Sequence, residues 1–208
     1  MQCGAIRYKV DAKEQAKLRL FNHKIIIRNT EFVLDEASGQ KPSISHIYST
    51  IANDHKRNLL IIDDVLSAVK AGRYPLILTE HKDHAESLAH HLSKLCKNVI
   101  VMVGGQSIKK CKEIKLQLES VLDSEERIII ATGRYIGEGF DDKILDTLFL
   151  TMPISWHGTL AQYAGRLHRN HSNKKEVIVY DYADHQVPML AKMAEKRRKR
   201  YGKIGYEF

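Results

Sequence analysis

A short cationic segment, residues 162–169, carries the side chains best suited to chemistry in this sequence. On a helix, Gln162, Arg166 and Arg169 are spaced i, i+4 and i+7 and share one face. That face has two guanidinium groups and no carboxylate, so the arginines repel each other unless an anion or open water surrounds them. Gly165 costs a helix about 1 kcal/mol relative to alanine, which indicates close approach of another backbone or a ligand. The segment predicts an anion site, with a solvated cationic helix end as the alternative.

A second candidate is the loop that follows the apolar run at residues 127–131. The run continues through Thr132 and Gly133 into a glycine-rich stretch that ends near Asp141. Such a run is typical of a strand buried on both faces. Ligands bind at the carboxyl ends of strands in open α/β sheets, and glycines let backbone N–H groups approach a phosphate. The loop therefore strengthens the anion-site interpretation.

Together the two features resemble motifs V and VI of superfamily-two helicases. The cationic segment reads Gln-x-x-Gly-Arg-x-x-Arg, as motif VI does, and the loop is similar to motif V. Their order and separation match the second RecA-like domain of that superfamily. The likeness covers residues 44–182 and is greatest for bacterial DEAD/DEAH-type helicases of the UvrB and restriction-enzyme translocase group.

The resemblance implies a role for each matching residue of the nucleotide site. Arg166 and Arg169 would reach the ATP phosphates. Arg169 is the first choice for the arginine finger that stabilises charge on the transferring phosphoryl group, with Arg166 as the alternative. Gln162 would link the nucleotide to the nucleic acid or to the partner domain. Gly139 and Asp141 match the end of motif V that approaches the ribose.

Nucleic-acid contacts are implied at the strand ends. Thr132 and Gly133 match positions that touch the nucleic-acid backbone in the family. Weaker candidates at the same strand ends are Thr79, Glu80, Gly104 and Gly105. The expected partner is DNA, as a single strand or a fork, in preference to RNA.

The rest of the chain supplies the elements that position these residues. Apolar runs predict strands at residues 24–28, 76–79, 99–103, 127–132, 148–151 and 177–180, mostly separated by helical patterns. Residues 44–72 predict two helices. The second contains Leu59–Asp64, which resembles a Walker B strand but keeps helical phase, with Asp63 and Asp64 solvated. The alternation predicts an α/β fold, a RecA-like, doubly wound and mainly parallel sheet flanked by helices.

The resemblance also divides the chain. Residues 1–43 are predicted to be a linker or N-terminal extension from a preceding helicase domain, and residues 44–208 the C-terminal RecA-like domain. The sequence has no Gly-x-x-x-x-Gly-Lys-Ser/Thr phosphate loop and no strand that ends in an acidic pair. ATP and Mg²⁺ are therefore expected to be held mainly by the first domain, which joins this one in cis, and this chain alone is predicted to be inactive. The alternative is a non-catalytic α/β module that binds nucleic acid.

Composition agrees with a polyanion-binding protein. The 208 residues carry a net charge of +8, with a basic run at residues 196–200 that is equally well explained as a nucleic-acid contact or a solvated helix face. Three cysteines without a CxxC pair indicate free thiols in a reducing compartment, and a cytoplasmic location is expected. No apolar run predicts a membrane span. The histidines lack a third ligand at metal-site spacing, so no metal site is predicted.

Overall fold

The computed structural model describes residues 21–34, 42–133, 142–154, 163, 165–171 and 174–208. Its strands are β1 (Asn22–Asn29), β2 (Pro75–Thr79), β3 (Val99–Met102), β4 (Ile128–Thr132), β5 (Thr147–Leu150) and β6 (Glu176–Ala183). Its named helices are α1 (Ile44–Asn53), α2 (His55–Lys70), α3 (Lys82–Leu92), α4 (Ile108–Ser120) and α5 (Pro188–Tyr201), and a 3₁₀ turn follows at Gly202–Ile204. Within these ranges no helix combines the length and the apolar character that a membrane crossing requires.

The six strands form one sheet in the order β1-β6-β5-β2-β4-β3, and every neighbouring pair is parallel. Parallel neighbours need crossover connections, and α3 and α4 each lie between two successive strands along the chain. This confirms the predicted α/β class with a RecA-like sheet flanked by helices.

Two hydrophobic cores cover the two faces of the sheet. Along β2, Leu76 and Leu78 point into one core and Ile77 into the other, as the two-residue period of a strand requires. The first core also takes Tyr163 and Leu167 from the cationic segment. The second core takes the buried faces of α2 and α3. The cationic segment therefore packs on the face opposite α2 and α3.

Strand β1 belongs to the sheet although the sequence placed it in a joining segment that ends at residue 43. Its eight residues pair in parallel with β6, from Asn22 with Glu176 to Asn29 with Ala183. Phe21 and Ile25 are buried in the first core. The compact domain thus starts before residue 44, because the apolar residues of β1 supply the outer part of that core.

The Walker B resemblance at residues 59–64 is confirmed to be helical, since it lies within α2. Asp63 is exposed as predicted, but Asp64 is not solvated. Its Oδ2 accepts from Arg28 Nε at 2.9 Å and from the Tyr182 hydroxyl at 3.0 Å. Asp64 therefore ties α2 to β1 and β6.

Candidate functional site

The predicted strand-end residues do meet at one edge of the sheet, which we call the carboxyl edge (residues 79–80, 104–105, 132–133 and 151). Thr79 and Thr132 are register partners of β2 and β4. The backbone N–H of Gly104 donates to Thr132 Oγ1 at 3.1 Å. Gly105 has a φ of +78°, a left-handed conformation that favours glycine. These residues thus lie along one edge of the sheet, as the sequence predicted.

Thr79 is not available for a nucleic-acid contact, contrary to the prediction. It is fully buried, and its hydroxyl lies 2.9 Å from His84 Nδ1 and accepts from the His81 N–H at 3.3 Å. Thr132 is also buried, with its hydroxyl oxygen used by Gly104. The exposed residues of the carboxyl edge are Glu80, Gly104 and Gly105. At the carboxyl edge, a direct contact with a nucleic acid can therefore come only from Glu80, Gly104 and Gly105.

A buried hydrogen-bonded chain supports this edge from below. His84 Nε2 lies 2.9 Å from Asn58 Oδ1, an acceptor, so Nε2 carries the proton and Nδ1 accepts from Thr79. Burial, followed by the charges of Arg57 and His81, lowers the pKa of His84 to about 3. His84 is thus a neutral connector among β2, α2 and α3, with both ring nitrogens occupied.

Gly133, Tyr163 and Glu80 converge at the carboxyl edge. A Cβ atom added at Gly133 would overlap the Tyr163 hydroxyl and would lie 3.0 Å from Glu80 Oε1 and 3.1 Å from Tyr163 Cζ. Burial and the Glu80 carboxylate raise the pKa of Tyr163 to about 12, and desolvation raises the pKa of Glu80. Glycine is needed at residue 133 because the cationic segment seats its tyrosine there. Tyr163 was not among the predicted site residues, although its i, i+4 spacing with Leu167 is the pattern of a buried helix face.

The cationic segment is helical at residues 163 and 165–167, then turns. The His168 N–H donates to Gly165 O at 3.2 Å, an i to i+3 bond that tightens the helix end. Arg166 is half-buried on the helix, whereas Arg169 is exposed beyond it. The predicted single helical face through Arg169 is therefore wrong.

Arg166 is half-buried as a whole residue. In the part of the chain that the structure describes, no carboxylate or hydrogen-bond acceptor contacts it. Gln162, Gly139 and Asp141 lie outside the described residues.

Three helices hold the backbone that leads from β5 towards the cationic segment. Arg57 Nη1 on α2 donates to Thr151 O at 2.6 Å, and the Tyr48 hydroxyl on α1 donates to Pro153 O at 2.7 Å. Arg197 Nη1 on α5 donates to Ile154 O at 3.3 Å. These donors fix residues 151–154 at the end of β5.

The basic run at residues 196–200 is divided by burial. Arg197 is buried and ion-paired with Asp181 at 2.7 Å, so it is neither a nucleic-acid contact nor part of a solvated face. Lys196, Arg198 and Lys199 are exposed. Arg197 falls in the spacing of the buried residues of α5, four positions before Tyr201, and that spacing is the signal that distinguishes it.

Comparison with known proteins places the chain among viral relatives. No family model matches it. Transcript termination protein A18 of Cowpox virus (strain Brighton Red) is 26% identical over 128 residues, which are 60% of this chain and 25% of that protein. Transcript termination protein OPG145 of Monkeypox virus is 26% identical over 147 residues, 69% of this chain and 28% of that protein. The chain thus spans about a quarter of the length of these poxvirus relatives.

A shorter relative matches this chain over about four fifths of its own length. Uncharacterized protein 108L of Invertebrate iridescent virus 3 is 36% identical over 90 residues, which are 43% of this chain and 81% of that protein.

Solved structures with the same fold include T4 UvsW and the C-terminal part of the Fun30 ATPase domain. T4 UvsW superposes with a TM-score of 0.67 and 18% identity over 90% of this chain and 40% of that chain. The Fun30 domain superposes with a TM-score of 0.56 and 13% identity over 69% of this chain and 47% of that chain. The chain thus shares the RecA-like fold of these two structures.

Proposed function

The chain belongs to the same family as uncharacterized protein 108L of Invertebrate iridescent virus 3, and we propose that it works as the C-terminal RecA-like domain of an ATP-dependent nucleic-acid helicase or translocase. A first RecA-like domain in the same polypeptide would hold ATP and Mg²⁺. We also propose that, among such helicases, this domain is most similar to those of the UvrB and restriction-enzyme translocase group.

The observation that carries the proposal is the environment of Arg166. A guanidinium group is normally paired with a carboxylate when it is partly buried. Arg166 has no such partner among the described residues, and it sits one helical turn from Tyr163, which is seated at the carboxyl edge. An anion supplied from outside this domain would satisfy it.

The chemistry assigned to this chain is electrostatic. Arg166 and Arg169 would donate N–H groups to the phosphate oxygens of ATP, and a guanidinium fork suits that geometry. The finger among them would stabilise the charge that develops on the transferring phosphoryl group, an effect of about 10³–10⁵ in rate where it has been measured. Arg169, which is exposed, can reach across to another domain; Arg166 is held closer to the sheet. We therefore keep Arg169 as the finger and assign Arg166 to binding.

The carboxyl edge is the proposed nucleic-acid contact, in a narrower form than the sequence implied. Gly104 and Gly105 expose backbone at the turn before α4, and this turn would contact sugar or phosphate groups without reading bases. Glu80 repels phosphate and would act by setting the path of the strand. Thr132 and Gly133 act indirectly, by holding the Gly104 turn and by seating Tyr163.

Nucleic-acid-stimulated ATP hydrolysis tests the proposal, in the protein that carries both RecA-like domains. We expect Arg169→Ala to remove turnover while ATP affinity changes little, because a finger acts on the transition state. Arg169→Lys should not restore turnover, since lysine lacks the planar fork. Arg166→Ala should mainly raise KM. Lys94→Ala, an exposed lysine beyond α3 and outside the basic run, is the control and should leave both constants unchanged.

The outcomes separate the candidate functions. If Arg166→Ala abolishes turnover and Arg169→Ala does not, the finger is Arg166. If both variants keep at least half of the wild-type kcat, the arginines take no part in hydrolysis. The chain would then be a nucleic-acid-binding module.

A further inference from the structure

Lys174 is a buried cation that contacts the backbone of the cationic segment. Its Nζ donates to Leu167 O at 2.8 Å and to Arg169 O at 3.0 Å. Only 7% of the residue is exposed. The Lys174 N–H also donates to His171 O at 3.1 Å. One side chain thus occupies the two carbonyls that flank His168.

The surroundings of Lys174 hold the ammonium group in place without a direct ion pair. Nζ lies 5.6 Å from the centre of the Phe21 ring. Asp146 and Asp142 attract it from the turn before β5, and Asp146 is itself shared with Arg73, whose Nε lies 3.6 Å away. Within the described residues no carboxylate comes within 4.0 Å of Lys174. Among the described residues, the acceptors of its ammonium hydrogen bonds are carbonyls of the cationic segment.

We propose that Lys174 is a positioning residue that fixes Arg169 for its role at the ATP phosphates. The proposal rests on the function proposed above. The α-helix ends at residue 167, so helical hydrogen bonds do not fix the backbone at Arg169. Lys174 restrains that backbone, and with it the root of the Arg169 side chain, by binding the Arg169 carbonyl. The same ammonium group also binds the carbonyl of Leu167. Because the Leu167 side chain is fully buried, this bond connects Lys174 to the core.

The energetic signs favour a positioning role over a purely stabilising one. Burial lowers the pKa of Lys174 to about 8, with the attraction of Asp146 and Asp142 opposing it. The charged form is therefore less favourable in the folded chain than in water. A methionine would avoid that desolvation while losing two hydrogen bonds. Removal of the Lys174 charge should therefore affect the orientation of Arg169 more than the free energy of unfolding of the domain.

The first test uses the 208-residue chain itself and does not depend on ATP. In wild type we expect the amide NMR shifts of residues 167–171 to titrate with a midpoint near pH 8. Lys174→Met should show shifted resonances at all pH values, with no such midpoint. Lys174→Arg keeps a permanent charge. Up to pH 10 it should therefore keep the amide shifts that wild type shows below pH 8. Lys199→Met, on the exposed face of α5, is the control and should titrate as wild type does.

The second test measures single-turnover ATP hydrolysis in the protein with both RecA-like domains, with Arg169→Ala as the reference. Displacement of a catalytic group by about 1 Å can cost ~10²-fold in rate, so Lys174→Met should lower kcat by ~10–10²-fold with KM within about twofold. The thermal midpoint should stay within ~4 °C of wild type. Wild-type kcat should fall as the pH rises through about 8, and Lys174→Arg should abolish that fall.

Failures of the two proposals are distinguishable. If Arg169→Ala retains wild-type turnover, the proposed function is wrong, whatever Lys174 does. If Arg169→Ala loses turnover and Lys174→Met does not, Lys174 does not position the arginine. Unchanged amide shifts in Lys174→Met overturn the proposal independently of any activity.

Discussion

Arg197 and Asp181 form a buried ion pair in which Arg197 Nε lies 2.8 Å and 3.0 Å from the two carboxylate oxygens of Asp181 and Nη2 lies 2.7 Å from one of them. The Tyr201 hydroxyl donates to the same carboxylate at 2.7 Å. Because Arg197 also donates to Ile154 O, the pair links β6 and α5 to the backbone that precedes the cationic segment.

Removal of one partner of this pair should be strongly destabilising. Arg197→Met leaves Asp181 charged and buried, which costs about 3–5 kcal/mol in comparable cases. We expect urea unfolding to show a loss of that size, and Asp181→Leu combined with Arg197→Met to recover much of it. Lys199→Met, two positions further and exposed, should stay within about 0.5 kcal/mol of wild type. Equal losses of unfolding free energy for Arg197→Met and Lys199→Met would contradict the ion-pair assignment.

The contact between Gly133 and Tyr163 predicts a coupled pair of substitutions. Gly133→Ala places a methyl group on the Tyr163 hydroxyl and should destabilise the chain by about 1–3 kcal/mol, as overpacking does. Tyr163→Phe removes the overlapping oxygen, so it should relieve more than half of that loss when combined with Gly133→Ala. Cζ would still lie 3.1 Å from the new methyl group, so recovery should be incomplete. Denaturant unfolding of the four proteins in a double-mutant cycle gives the coupling, and additive losses would refute it.

His84 predicts a loss of stability in acid. Its pKa is about 3 in the folded chain and 6.5 in the unfolded chain, so the unfolded state binds a proton first as the pH falls. The stabilising contribution is fully present above pH 6.5 and is lost progressively towards pH 3, by at most ~1.4 kcal/mol per pH unit.

The matched variant is His84→Gln, which keeps a donor and an acceptor but cannot titrate. Chemical denaturation at pH 7.5, 6.5, 5.5 and 5.0 should show a flatter decline for the variant than for wild type. The difference between the two curves isolates His84 from the other histidines, and parallel curves would show that His84 is not buried as a neutral ring.

Nucleic-acid binding should be weak, indifferent to sequence and only shallowly dependent on salt. A single RecA-like domain would neutralise few phosphates, and each contributes a slope of about −0.7 on a single strand, so we expect −1 to −3 in log K against log salt. Fluorescence anisotropy of a labelled single strand at several salt concentrations measures this slope.

Two variants locate the contact. Gly104→Glu puts a carboxylate on the exposed turn of the carboxyl edge and should abolish binding if that edge is used. Replacement of the exposed lysines of α5 and the turn after it by glutamine tests the competing surface. Those lysines are Lys192, Lys196, Lys199 and Lys203. A deletion from residue 196 onward is unsuitable, because Tyr201 and Tyr206 belong to the first core. Base-specific binding, or a slope that neither variant alters, would remove the carboxyl edge as the contact.

Periodicity predicted much of the fold because strands and helices bury residues at different spacings. The pattern located β1 to β6 and both helices of residues 44–72, including the helical phase of Leu59–Asp64. It could not reveal that Arg57 is buried, since its partner Asp184 lies 127 residues away. Nor could it show that the Thr79 hydroxyl is consumed by His84, because a threonine at a strand end looks the same whether it faces solvent or a helix. Residue types placed the candidate site, and long-range contacts decided which of its groups are exposed.

The position of β1 has a consequence for biosynthesis. Ile25, Ile26 and Ile27 leave the ribosome about 150 residues before β6, their only strand neighbour among the described residues. Residue 207 then adds backbone bonds, from the Ile25 N–H to Glu207 O at 2.7 Å and from the Glu207 N–H to His23 O at 2.9 Å. An apolar strand that waits this long with unsatisfied backbone groups is open to pairing with other nascent chains. Slow synthesis without a chaperone should therefore favour aggregation through β1, and the nascent polypeptide should become protease-resistant only after its last strand has emerged.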